Sequence, residues 1–415
     1  MLVGNHVMNA ARPSDLKLNN RMQILELFKS GRVCSVAEIA SEIGISRQTV
    51  MKAIQFFLEK GIIVSEGKAA SGAMGGKRAE LFSLSADRYL FNILISPDYL
   101  FISLFNFRCE VVDTFTRTGI ADMSVDDIIA AAGAACGRLM LKHDILRDNV
   151  RGMCISTSGI VDMSTNRLRF NSLFPNWGKD IPIAEKLAAC FDGDMMIVME
   201  NVSKVCGSAY LHQKDRANQR GATVFSGFGG VVACLMNRGF ILRGKDSLIG
   251  EIGHMMLAPE DQEVCGCGGH GCFERQVSNE RLRTVIADSI GRYPGSVLNE
   301  KPVHEITIRD VFEASAAGDA LGRELSAFTA RYFADALRNL TLVFNPNWVV
   351  FQGEYAWADD HFREVLFREL KAFRYYEDVA PFDLQMDRRP ITDLTTIGAY
   401  TLLIDRLFSD QTTYS

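Results

Sequence analysis

No apolar run in this 415-residue chain approaches the roughly 18 residues needed to span a bilayer. The first fifteen residues, MLVGNHVMNAARPSD, also lack the continuous apolar segment of a secretory signal. A cytoplasmic location without membrane insertion is therefore expected, and in that reducing compartment cysteines should be thiols or metal ligands, not disulfides. No large excess of one charge is present, with 45 Lys and Arg against 50 Asp and Glu for a net of −5. No internal repeat stands out. What remains is the composition of a soluble globular protein, 47% hydrophobic and 23% charged, long enough for about two or three domains.

The small net charge conceals an uneven distribution. Residues 1–85 hold 11 Lys and Arg against 7 Asp and Glu, a net of +4, so the rest of the chain is net acidic. A basic head on an acidic body suits nucleic-acid binding joined to a separate sensing or catalytic part.

The head reads as three helices and a hairpin. A first helix is predicted from about Asn20 to Lys29, stopped at Gly31. A second begins near Ser35 with Ile39, Ala40 and Ile43 at helical spacing. Gly44 then permits a tight turn, and Ser46 caps a third helix with Val50, Ile54, Phe57 and Leu58 facing inward. A glycine turn between two short helices is the helix-turn-helix pattern. Its recognition helix would present Ser46, Arg47, Gln48, Thr49 and Lys52, side chains able to bond phosphates and base edges in a major groove. Two strand-like runs, GIIVSEG and AELFSLS, flank a glycine-rich loop ending in Lys77 and Arg78, the composition of a basic wing. The alternative is a small helical domain with a hairpin, used for protein contacts.

From about Asp87 strands alternate with helices, the α/β pattern. YLFNILIS, YLFISLFNF and EVVDTFT read as a β-meander, and VRGMCISTSGIVD as a strand entering a glycine turn. GDMMIVMEN is a buried strand followed by a helix from about Val202 to Leu211. ATVFSGFGGVVACLMNRG is hairpin-like, and NPNWVVFQGEYA is a strand ending at Gly353. Ligands in such folds sit outside the strand ends, between the halves.

Ten cysteines are present, and Cys34, Cys109, Cys136, Cys154, Cys190, Cys206 and Cys234 are scattered singly as small buried residues would be. The other three, Cys265, Cys267 and Cys272, lie in the ten-residue stretch CGCGGHGCFE, eleven and more residues after His254. Three thiolates and one imidazole complete a tetrahedral zinc set, and four protein ligands leave no open position, so such a metal would be structural. His270, inside the loop, is a competing ligand, and a metal-free cluster of reduced thiols is the alternative.

The stretch GEIGHMMLAPEDQEVCGCGGHGCFERQVS, residues 250–278, resembles the zinc-containing signature of the ROK family of repressors and sugar kinases. Every element of its G-E-x-G-H…C-x-C-G-x-x-G-C-x-E pattern is present. The resemblance runs from about residue 20 to residue 408, and it includes the wing GAMGGKRAELFSL, the strand VFNPNWVVFQGEYA and the last helix TTIGAYTLLIDRLF. It implies a winged helix-turn-helix (1–85) ahead of a two-lobed, actin-like (ribonuclease H-like) α/β sugar-kinase body. The first lobe would span 86–200. The second would span 201–415 and hold the zinc loop 254–274, with the last helix returning to the first lobe. Glu251, His254 and Glu274 would bond sugar hydroxyls, with Gly159, Asn171 (anchored by Trp177) and Asn201 completing the pocket. His254 is thereby preferred to His270 as the fourth zinc ligand.

Departures from the kinase pattern imply lost catalysis. The family's general base falls on Val202, which cannot accept a proton. The first phosphate loop falls on LISPDY, with Leu94 and Ser96 replacing an acid and a glycine. The second falls either on Gly230, Val232 and Cys234 or, with a gap, on Gly227, Gly229 and Gly230. Gly353-Glu354 stands where a Gly-Gly pair would approach a nucleotide. The expectation is a sugar-responsive repressor without kinase activity. It would bind operator DNA and a sugar or sugar-phosphate effector, and work as a homodimer or homotetramer. An active sugar kinase with a DNA-binding head, and a scaffold module retaining only the zinc loop, are the other readings.

Overall fold

The computed structural model describes residues 13–29, 31–68, 78–191, 195–211, 213, 216, 218–376 and 381–409. The head comprises α1 (Pro13–Lys29), β1 (Cys34–Ser35), α2 (Val36–Ile43), α3 (Arg47–Glu59), β2 (Ile63–Lys68) and β3 (Glu80–Leu84). Ser35 and Glu38 close a reciprocal capping box on α2. Gly44 ends that helix in the left-handed conformation at φ 75°. α1 begins at Pro13, ahead of the predicted Asn20, because proline suits the first turn of a helix and its fixed φ starts the element there. Leu58 is 38% exposed, and Ala53 takes its place inside with Val50, Ile54 and Phe57. At 100° per residue Leu58 lies roughly 80° around from Val50, at the edge of the apolar stripe.

The first lobe carries β4 (Tyr89–Ile95), β5 (Tyr99–Asn106) and β6 (Val111–Thr118), then α4 (Val125–Lys142) and β7 (Val150–Thr157). The small ribbon β8 (Ile160–Asp162) and β9 (Arg167–Phe170), α5 (Ile183–Ala188) and β10 (Met196–Asn201) complete it. Its sheet order is β6-β5-β4-β7-β10, an antiparallel meander followed by two parallel strands. After α6 (Val202–Ser208), the second lobe has β11 (Arg220–Gly227), β12 (Gly230–Asn237) and β13 (Phe240–Ile241). α7 (Phe273–Gln276), α8 (Asn279–Ser289), α9 (Ile308–Ala316) and α10 (Ala320–Val343) follow, then β14 (Trp348–Gly353), α11 (Asp360–Lys371), β15 (Asp383–Asp387) and α12 (Ile391–Ser409). Its order, β13-β12-β11-β14-β15, repeats that of the first sheet with the same strand senses. The chain is a structural duplication without a visible sequence repeat, because pairing geometry requires only a matching hydrophobic pattern, not matching residues.

α6 regular helix ends at Ser208 and continues as turns to Leu211, shorter than predicted. It packs against α12, which also covers β4 and β7 of the first lobe. A Cβ added at Gly398 of α12 would fall 1.7 Å from the Val205 carbonyl oxygen of α6, so the two helix backbones are in direct contact. Beyond that crossing, Leu403, Ile404, Leu407 and Phe408 of α12 join Ile24, Phe28, Ile54 and Phe57 of the head in one continuous core. Lys29 of α1 reaches Asp405 of α12 at 2.6 Å. Among the described residues no helix is long and apolar enough to cross a membrane.

Replacing Gly398 with alanine forces the crossing apart. Overpacking of this kind costs about 1–3 kcal/mol, and urea unfolding should show at least that loss. Wild-type stability in the variant would contradict the close approach.

Candidate functional site

The cavity between the lobes is built at the carboxyl ends of parallel strands, the crevice where open α/β sheets bind ligands. Ser158 and Gly159 follow β7, Asn201 and Val202 join β10 to α6, and Gly227, Phe228, Gly229 and Gly230 turn β11 into β12. The enclosed volume is about 420 Å³. Glu251, His254 and Glu274 reach it from the second lobe, so five sequence-predicted residues, with Gly159 and Asn201, line one space.

The G-E-x-G-H turn has this sequence because it lies flat on β12. A Cβ at Gly250 would stand 1.9 Å from the Ala233 carbonyl oxygen, and one at Gly253 would stand 2.3 Å from that of Val231. Only glycine permits such approach. The turn delivers His254 with Nδ1 facing Cys265 Sγ at 3.7 Å, which leaves Nε2 as the nitrogen available to a ligand. Glu274, at the start of α7, holds Oε1 3.3 Å from His254 Nδ1 and 3.2 Å from Cys265 Sγ. Burial pushes the Glu251 carboxyl above the usual carboxylate range, and the neighbouring His254 opposes that shift.

The ligand atoms of His254, Cys265, Cys267 and Cys272 all lie within 4.8 Å of one another. Cys267 Sγ and Cys272 Sγ are 3.7 Å apart. A tetrahedral ion about 2.3 Å from each sulfur separates its ligands by about 3.8 Å. The four residues therefore fit a metal ion with an N/S ligand set and can hold one. His270 is not among them, and its backbone bridges to Val264 across the loop. Cys267 also borders the cavity, so the cluster and the pocket share a wall.

Asn171 is placed differently from the expected sugar contact. It is buried, its amide donates to the Ser158 carbonyl at 3.1 Å, its oxygen accepts from Leu173 N at 3.0 Å, and it does not line the cavity. In this arrangement it shapes the Ser158–Gly159 turn. Asn201 lines the cavity with its side chain engaged: the amide donates to the Gly159 carbonyl at 2.8 Å and the oxygen caps α6. Trp177 stacks on Phe174 at 4.0 Å and donates to the Met123 carbonyl, bracing the same segment.

In the head, Ser46 accepts from Thr49 N at 3.1 Å and its hydroxyl lies 2.9 Å from that of Thr49, so both serve the helix start. Ser46, Arg47, Gln48 and Lys52 are exposed and Thr49 is half-buried. Exposed Met51 and Gln55 share this outer face at helical spacing, a signal the sequence reading did not use. Arg78 is exposed at the foot of the wing, while Lys77 lies outside the described residues.

The profile of the ROK family matches residues 134–403, and that of a winged helix-turn-helix DNA-binding domain matches residues 18–64. The chain belongs to the ROK family. The xylose repressor of Caldicellulosiruptor bescii is 22% identical over 415 residues, covering 98% of this chain and 99% of the relative. A solved ROK family transcriptional regulator, described as a homolog of the E. coli MLC protein, superposes with a TM-score of 0.78 at 18% identity, covering 96% of this chain and 100% of that one. A ROK family glucokinase from Streptomyces griseus, solved with glucose and AMPPNP, gives a TM-score of 0.62 at 18% identity, covering 76% of this chain and 98% of that one. The fold is thus a winged helix-turn-helix on the two-lobed, actin-like ROK body.

Against that family fold, the hairpin tip between β11 and β12 is Gly227–Gly230, whereas Cys234 lies fully buried along β12. The gapped placement therefore puts the glycines at the tip facing the cleft. Leu94, Phe101, Val202, Cys206, Phe225 and Leu394 form one buried apolar cluster, with Phe228 packed on it. A narrower cleft beside the cavity is lined by Glu274, Glu280 and Glu354, and its Arg275 is paired with Glu263. Burial pushes the Glu354 carboxyl up, against the hydrogen bond donated by Asn279.

Metal analysis of the purified chain should return about one ion per chain, absent from Cys267→Ser, whose side chain is exposed and whose loss leaves the core intact. Chelation should lower the melting temperature. A metal-free chain whose melting ignores chelator would remove the site.

Proposed function

We propose that this ROK chain is a sugar-responsive DNA-binding transcriptional regulator, acting as a repressor and lacking kinase activity. The observation that carries the reading is Val202, an apolar wall residue of a sugar-type cavity and also the first residue of α6, the helix that packs against α12. A phosphotransferase needs a base at the accepting hydroxyl and room for phosphates against backbone N–H groups. Val202 supplies no base, and the buried apolar cluster around Leu94 and Phe101 supports a cleft that does not cradle phosphates.

Glu251, His254 and Glu274 bond ligand hydroxyls in this reading, with Gly159 and Asn201 shaping the opposite wall. The ion is zinc, held by His254, Cys265, Cys267 and Cys272 with no open position, and its role is to fix His254 and the loop bearing Glu274. Residues 1–85 bind DNA through Ser46, Arg47, Gln48, Thr49, Lys52, Lys77 and Arg78. The lobes 86–200 and 201–415 sense the sugar. Ligand that closes the lobes moves α6, α6 moves α12 through the Gly398 contact, and α12 carries the head with it. Paired heads are required to read two half-sites, so a cytoplasmic homodimer or homotetramer is the working unit.

Two measurements test this. With ATP and a panel of hexoses, the purified chain should release no ADP, and a turnover near one per second would refute the non-kinase reading. On genomic DNA fragments selected by the chain itself, Arg47→Ala should weaken specific binding by about 1–3 kcal/mol. Arg78→Ala should lower the salt slope by about one. Both variants should retain sugar binding. Unchanged DNA affinity in both would move recognition away from α3 and the wing.

A further inference from the structure

The chemistry of the cavity wall selects among the sugars that the proposed sensor could take, and this inference rests on that reading. One side is hydroxyl-seeking, with the carboxylates of Glu251 and Glu274 and the His254 imidazole. Among the described residues no lysine or arginine lines the cavity. Lys204 is buried, and its ammonium donates to the Ser247 carbonyl at 2.8 Å. Arg243 is turned away onto Glu200 at 2.8 Å. A phosphate ester entering here would meet two carboxylates and no lysine or arginine side chain on the lining to pair with.

The other side is apolar. Val202, Phe225 and Phe228 line it, backed by the buried cluster that contains Leu94, Phe101 and Leu394, and the Phe225 and Phe228 rings are 6.0 Å apart. At the rim, Leu173 and Leu248 line the same cavity while remaining 36% and 52% exposed. Phe228 holds a left-handed backbone at φ 55°, unusual for a bulky side chain and tolerated there with its ring against the cluster. A hydroxyl buried against this wall would find no partner, whereas an apolar group would leave water for a preformed surface.

We propose that the effector is a neutral, unphosphorylated sugar carrying an apolar group, with its hydroxyls on Glu251, His254 and Glu274 and the apolar group against Val202, Phe225 and Phe228. Deoxy sugars, acyl sugars and aryl or alkyl glycosides share this chemistry.

Calorimetry on the full chain, with metal present, distinguishes these ligands. The probes are glucose, galactose, xylose and N-acetylglucosamine, each as the free sugar, the phenyl β-glycoside and, for the hexoses, the 6-deoxy and 6-phosphate forms. An apolar-substituted member should bind at least about ten-fold more tightly than its parent, and every phosphate ester at least about a hundred-fold more weakly than that best member. Phe228→Asn, which keeps the left-handed turn, should erase the preference for the apolar member over its parent sugar. Glu251→Gln should weaken all members of a series together. A phosphate ester as the tightest ligand, or no gain from any apolar substituent, overturns the inference while leaving a sugar sensor in place. Binding of no member of any series overturns the sensor reading itself, and this inference with it.

Discussion

The rest of the structure depends on the crossing of α6 and α12 at Gly398. α6 starts at the cavity wall and ends against the second lobe, while α12 starts beside the apolar cluster of the cleft and ends inside the core of the head. Where two helices touch backbone to backbone, neither can shift without the other, because no flexible side chain lies between them to absorb the displacement. The head is consequently not a module on a loose tether. Its hydrophobic core runs on into β4, β5 and the two helices, so head and first lobe share one packed interior.

That continuity gives the cavity its place in the molecule. Its hydroxyl-seeking side belongs to the second lobe, on a turn pressed against β12 by two glycines and tied to the cysteine loop through His254 and Glu274. Its apolar side straddles the lobes, drawing on β4, β5, β11, α6 and α12. A ligand touching both sides would bridge the bodies that move relative to each other in two-lobed proteins, which is the requirement for a differential affinity between two states. Leu94 and Phe101 of the first lobe pack there with Phe225 of the second, so the seam beside the cavity is an interlobe core.

The head and the metal loop were legible in the sequence because their signals are local. Ser35, Gly44 and Ser46 act within a turn of their own positions, and C-x-C-x4-C converges through the intervening glycines. The strands of both sheets were legible from alternation and apolar runs. Their shared order was not, since it depends on pairings between strands far apart in the chain. The setting of Asn171 was not legible for a related reason: its residue type suits a sugar contact, and only the folded turn shows its amide donating to the Ser158 carbonyl. Met51 and Gln55 continue the exposed face of α3 beyond its first turn, at the helical spacing legible in the sequence.

By itself, then, the sequence determined the winged head and the four metal-type ligands, and it singled out Glu251, His254, Glu274 and Val202, which the fold brings to one cavity. Only the tertiary structure decided that the body is a duplicated sheet, that the glycine tip at Gly227–Gly230 faces the cleft, and that one side of the cleft is apolar. The physical reason is distance along the chain. Residues 94, 101, 202, 206, 225 and 394 carry no mutual pattern in sequence and become one surface only when two sheets and their crossing helices close on each other.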